Sequence, residues 1–115
     1  MRIAIIVREE TLDRCTGKGC FNAFFKRIDA FKDYKDNVEL VSFTHNGGDI
    51  DYKIQKLIDN NVKVIHLSSC MRAKSKDYES LAEKLSKYFD VVGYTHGSVK
   101  GKNKEAICLK KIDND

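Results

Sequence analysis

Three cysteines and two histidines of this 115-residue chain fall in four polar segments, each standing just after an apolar run. Cys15 and Cys20 lie within Arg8–Cys20, and His45 precedes Asn46-Gly47-Gly48-Asp49. Cys70 belongs to Ser68-Ser69-Cys70-Met71-Arg72, and His96 follows Tyr94-Thr95. Thiolate and imidazole are the donors that tetrahedral zinc and iron sites use, so Cys15, Cys20, Cys70 and His96 amount to one four-coordinate metal set. His45 and Asp49 stand beside it as supporting or alternate ligands. Four protein ligands suit a structural or storage site, whereas three would leave a position open for hydrolysis.

Taken singly these signals are weak, because a lone cysteine is usually a small buried apolar residue. The four-residue gap from Cys15 to Cys20 is also wider than the two-residue gap common in zinc knuckles. Gly17 and Gly19 give that gap the backbone freedom to fold back and aim both sulfurs inward. Cys20 opens an expected helix, where the positive end of the dipole favours thiolate. That property serves a redox thiol as well as a ligand. A second reading is therefore a thiol redox or sulfur-handling protein that cycles Cys15 and Cys20 between dithiol and disulfide with Cys70 nearby. Under a third, the chain is a non-catalytic binding module. His66, inside an apolar run, reads as structural, and Cys108 lies outside the set. Gly47-Gly48 reads as a tight turn ahead of a helix capped by Asp49.

Familiar catalytic templates are missing. There is no Gly-x-x-x-x-Gly-Lys-Ser/Thr and no Gly-x-Gly-x-x-Gly, and Gly17-Lys18-Gly19 alone is too short to count. No cysteine is followed by five residues and an arginine, and no third residue can be named to orient a cysteine–histidine pair. Whether the chain is an enzyme stays open.

The elements that must position these residues alternate. Arg2–Val7, Val38–Phe43, Lys63–Leu67 and Asp90–Tyr94 are apolar, β-branched runs expected to be parallel strands buried on both faces. Between them, Phe21, Phe24, Phe25, Ile28 and Phe31 recur at three- and four-residue steps. Ile50, Ile54, Leu57 and Ile58 do the same, as do Tyr78, Leu81, Ala82, Leu85 and Phe89, with Ser75 as a cap ahead of that last stripe. Strand and helix in alternation predict an α/β, flavodoxin-like three-layer sandwich with a four-stranded parallel sheet of order 2-1-3-4. Ala106-Ile107-Cys108-Leu109 offers a short fifth strand. The expected organisation is a single domain over 1–115, with a core at 1–96 and a Lys-rich C-terminal extension at 97–115. In such a sheet ligands bind beyond the carboxyl ends of the strands, where all four site segments fall.

Composition narrows the class. The chain is 42% hydrophobic and 33% charged, with no Trp and no Pro, as in a globular protein. Its apolar start is far shorter than a signal-peptide core, and no run approaches the ~20 apolar residues of a membrane span. The expected location is the cytoplasm, where four cysteines are thiols or metal ligands rather than disulfides. The net charge of +4 is scattered. Only Lys100 to Lys111 is locally Lys-rich, and it lacks the interleaved aromatics of a nucleic-acid platform. The expected partner is a metal ion, neither nucleic acid nor a membrane, and no protein partner can be named.

Several of these segments also occur together in one known family. Ile3-Ala4-Ile5-Ile6-Val7-Arg8, Asp13-x-Cys15-x-Gly17-x-x-Cys20-Phe21, Ser68-Ser69-Cys70 and Tyr94-Thr95-His96 stand in the order and approximate spacing of the CGGC-domain proteins, and the chain resembles a small, divergent member over roughly residues 1 to 96. The defining Cys-Gly-Gly-Cys appears here as Asn46-Gly47-Gly48-Asp49, and the cysteine expected after Arg8 is Glu9. The resemblance implies metal binding and carries over no established reaction. With three sulfur positions lost, it implies one ion rather than a cluster.

Overall fold

The structure is a computed structural model, described over residues 1–112. Strand β1 (Arg2–Val7) has no polar residue after Arg2 and is buried along its whole remaining length. A strand of that kind needs cover on both faces and partners on both edges, and it lies between β2 (Glu39–His45) and β3 (Val62–Leu67), parallel to each. Strand β4 (Asp90–Val92) pairs parallel with β3, and β5 (Cys108–Leu109) completes the order β2-β1-β3-β4-β5.

The two-residue period of β1 divides the core. Ile3, Ile5 and Val7 pack on one face with Cys20, Ala23 and Phe24 of helix α1 (Lys18–Lys26) and with Phe31. Ala4 and Ile6 pack on the other face beneath α2 (Ile50–Asp59), α3 (Ser69–Lys74) and α4 (Tyr78–Leu85), which contribute Ile54, Leu57, Met71, Leu81 and Leu85. The fold is therefore α/β with the flavodoxin-like layering and the strand order 2-1-3-4 expected for the first four strands.

The sheet is not purely parallel, because β5 runs antiparallel to β4. A parallel return needs a crossover that covers the sheet, usually a helix. The Gly- and Lys-rich stretch after β4 forms no helix and folds straight back. Tyr78 pins the return: its hydroxyl donates to Gly93 O at 2.7 Å and accepts the Ile107 N–H at 2.9 Å. Residues 113–115 of the expected extension lie outside the described residues.

Two helix readings also change. The aromatic stripe from Phe21 to Phe31 is not one helix. Arg27 turns left-handed at φ 54, and the N–H of Ile28 bonds Ala23 O at 3.1 Å, which closes α1 at Lys26. A short 3-10 turn at Asp29–Phe31 then buries Phe31 against His66, ring centres 4.3 Å apart, while Phe25 is 73% exposed. Ser75 does not cap α4. Its hydroxyl and the Asn46 amide both bond Asp77, the residue ahead of α4, and the real cap in this region is Ser68, whose Oγ accepts the Met71 N–H at the start of α3.

Candidate functional site

β1 and β3 end side by side, with Ile6 opposite Leu67, and both run directly into site segments. A cavity of about 320 Å³ opens at that edge, and Cys15, Cys20, Cys70 and His96 all line it, together with Leu12 and Ser69. Four elements deliver them: the segment after β1, helix α1, helix α3 and the stretch after β4. His45 and Asp49 do not line this cavity. Cys108 sits in β5, away from it.

Each sulfur has its own neighbour. Cys20 is 6% exposed and its Sγ lies 3.2 Å from Thr95 Oγ1. That oxygen already accepts the Ser69 N–H at 3.4 Å, so its own proton is free for sulfur. Cys70 Sγ lies 2.8 Å from Ser68 Oγ, which caps α3 and likewise keeps its proton for the thiol. Cys15, exposed, accepts the Gly17 N–H at 3.3 Å. Gly17 takes φ 84 at the N-cap of α1, and a Cβ there would stand 3.0 Å from the Phe21 and Phe43 rings. Position 17 therefore favours glycine twice over. Among the described residues, no group of three or more His, Cys, Asp and Glu side chains is already disposed to hold an ion.

His96 is exposed and is held through its backbone. Ser69 Oγ donates to His96 O at 2.6 Å and accepts the His96 N–H at 3.1 Å and the Thr95 N–H at 3.3 Å. Its ring lies against Gly19, where a Cβ would come within 3.0 Å of Cδ2 and Nε2. Gly19 thus lets the imidazole sit on the first turn of α1. His66, by contrast, is fully buried in β3. Its Nδ1–H donates to Tyr94 O at 3.1 Å and its Nε2 accepts from Tyr34 Oη at 2.8 Å. Burial holds it neutral, with its pKa lowered to about 4.

The electrostatics of Cys20 run against the expectation from its helix position. Burial pushes its thiol up, the Thr95 hydroxyl pulls it back, and nearby Cys70 and Cys15 push it up again. Loss of water outweighs the helix end, so Cys20 is a protonated, enclosed thiol rather than an activated one.

Of the three positions where the resemblance expects cysteine, Glu9 and Asn46 bond each other and Asp49 caps a helix, and none lines the cavity. The Glu9 N–H donates to Asn46 Oδ1 at 3.0 Å, and the Asn46 amide donates to Asp77 at 3.2 Å. The Glu9 carboxylate covers the Cα of Gly47, where any Cβ would collide with it. His45 Nδ1 accepts the Gly47 N–H at 3.0 Å, and Asp49 Oδ1 accepts the Tyr52 N–H at 3.0 Å as the α2 cap. Oxygen and amide groups stand here in place of sulfur: Glu9 and Asn46 tie segments together and Asp49 caps α2.

Thr95, Ser68 and Ser69 were not singled out by residue type, yet they hold the Cys20 and Cys70 thiols and the His96 backbone. The signal was present in Ser68-Ser69-Cys70 and Tyr94-Thr95-His96, where hydroxyls stand one or two positions from a thiol or imidazole. The model of the CGGC domain family matches residues 2–96 and leaves 97–115 outside the match. No curated protein and no solved structure matches the chain.

Proposed function

Because the chain belongs to the CGGC-domain family, we propose that it binds one thiophilic metal ion, zinc or iron, through Cys15, Cys20, Cys70 and His96. The observation that carries this reading is the single cavity that all four side chains line. Three thiols and an imidazole suit such an ion by their chemistry. As placed, the sulfurs point to local partners, so binding must exchange the Thr95, Ser68 and Gly17 contacts for metal bonds and must remove the thiol protons. Asp49 and His45 are already committed to loop hydrogen bonds and are not needed in the set.

When bound, the ion would cross-link four elements at the rim. Four protein ligands make a closed site, which is a structural or storage role rather than a hydrolytic one. The reading needs reduced thiols and therefore a reducing compartment such as the cytoplasm.

The test is elemental analysis of chain purified without air and without a histidine tag, with thiols counted before and after chelation. About one zinc or iron per chain, with thiols reactive only after chelation, supports the reading. Metal-free chain that stays metal-free after resupply, with freely reactive thiols, overturns it.

The separate partners of the three sulfurs favour one other reading, a dithiol that cycles between Cys15 and Cys20 without metal. Under it, replacing His96 leaves the reduction potential in place, and replacing Cys15 or Cys20 removes it.

A further inference from the structure

A second cavity, of about 600 Å³, shares Ser69 and His96 with the thiol cavity as a common wall and is lined by Arg72 and Lys102. Arg72 is only 8% exposed. Its Nη1 donates to Ser98 O at 2.8 Å and to Val99 O at 3.2 Å, and its guanidinium carbon lies 5.5 Å from the centre of the Tyr94 ring. A Cβ at Gly101 would stand 3.2 Å from that carbon, so the backbone there lies close against the guanidinium. No ion pair among the described residues includes Arg72. Its Nε and Nη2 make no hydrogen bond among the described residues. Since no enclosed side-chain nitrogen or oxygen among them lacks a partner, these two donors keep some contact with solvent on a residue that lines the cavity.

An enclosed guanidinium without a counter-charge is costly, and two carbonyls offset only part of that cost. What is left unpaired on this cavity-lining residue is part of the planar donor fork, the geometry that pairs with two oxygens of a carboxylate or phosphate. Lys102, exposed on the wall, adds a second positive charge with no acidic partner among the described residues. Lys104, by contrast, lies 3.5 Å from Glu79.

We infer that this cavity is a subsite for a small oxyanion, the phosphate or carboxylate group of a small molecule, held by Arg72 and Lys102. The rest of that molecule extends over Ser69 and His96 toward the thiol cavity. The inference holds whether or not the thiols take a metal.

The experiment uses the whole chain, treated with chelator, in two arms. One adds inorganic phosphate and the other adds succinate, each compared with chloride at equal ionic strength. Thermal unfolding and the Arg72 Nε–H resonance are followed together. The expected result is a saturable rise in midpoint with one of the two anions, accompanied by movement of that resonance, and the effective anion identifies the source. Lys102→Glu, on an exposed side chain, should weaken binding by about tenfold or more, and Arg72→Lys should abolish it. If Arg72→Lys does not fold, Lys102→Glu and the resonance decide. The inference is overturned if neither anion exceeds chloride, if the Arg72 resonance stays still at saturation, or if Lys102→Glu binds as the unaltered chain does.

Discussion

Acidification is expected to weaken the fold through His66 before the carboxylates are protonated. The imidazole is fully buried and neutral, with its pKa lowered by burial to about 4 from an ordinary 6.5. The Tyr94 carbonyl can only accept, so Nδ1 keeps the one ring proton and Nε2 takes the hydroxyl proton of Tyr34. Tyr34, pushed up by burial to about 12, is protonated throughout this range and stays a donor. In the unfolded chain the same ring takes up a proton near its ordinary value, so between these two values the unfolded state binds more protons. The contribution is complete above the unfolded value and is lost as pH falls toward the folded one. A gap of about 2.5 pH units at about 1.4 kcal/mol each makes the full loss about 3.5 kcal/mol. Urea unfolding from about pH 7 to about pH 4.5, for the unaltered chain and His66→Phe, should show the difference between them shrinking by about 1.4 kcal/mol per pH unit below about 6.5. A difference that stays constant over that range, or a His66 ring that titrates near 6.5 by NMR, would refute the reasoning.

Three further outcomes follow from particular contacts. Gly93→Ala drives a Cβ into the Tyr78 hydroxyl and the Ile107 backbone, and should cost at least about 1–3 kcal/mol in urea unfolding, with faster hydrogen exchange at the Ile107 amide. Asp49→Ala removes the α2 cap and should cost about 1 kcal/mol by the same method while leaving metal affinity unchanged; a large loss of affinity would return Asp49 to the ligand set. In metal-free chain, iodoacetamide followed by mass spectrometry should label exposed Cys15 and Cys108 well before Cys20, whose buried thiol needs higher pH to ionise, and urea should bring the rates together.

The β-branched runs of β1 and β3 were legible because a strand buried on both faces needs no polar alternation, and α2 was legible from its stripe and from Asp49, which caps it as expected. Helix α3 was not, since six residues show no period, and its capping Ser68 looked like part of a loop. The stop of α1 depends on arginine and aspartate adopting left-handed backbone at 27 and 29, which residue type does not announce. The direction of β5 follows from Tyr78 holding Gly93 and Ile107 together, a contact across distant segments. At the site, strand order was enough to bring Cys15, Cys20, Cys70 and His96 to one cavity. The state of Cys20 was not legible, because its helix position is local and its burial is tertiary, and burial prevails. Arg72 went unnoticed for the same reason: what marks it is enclosure without a carboxylate among the described residues.

The most direct test of the rim as a metal site is titration of reduced, metal-free chain with cobalt(II) in the absence of air, following the sulfur-to-cobalt absorption that thiolate ligation produces. The account predicts a band that saturates at about one cobalt per chain, yields to zinc, and is lost in a Cys15→Ala, Cys70→Ala double variant that still folds. No such band from the unaltered chain, or an equal band from the double variant, would contradict it.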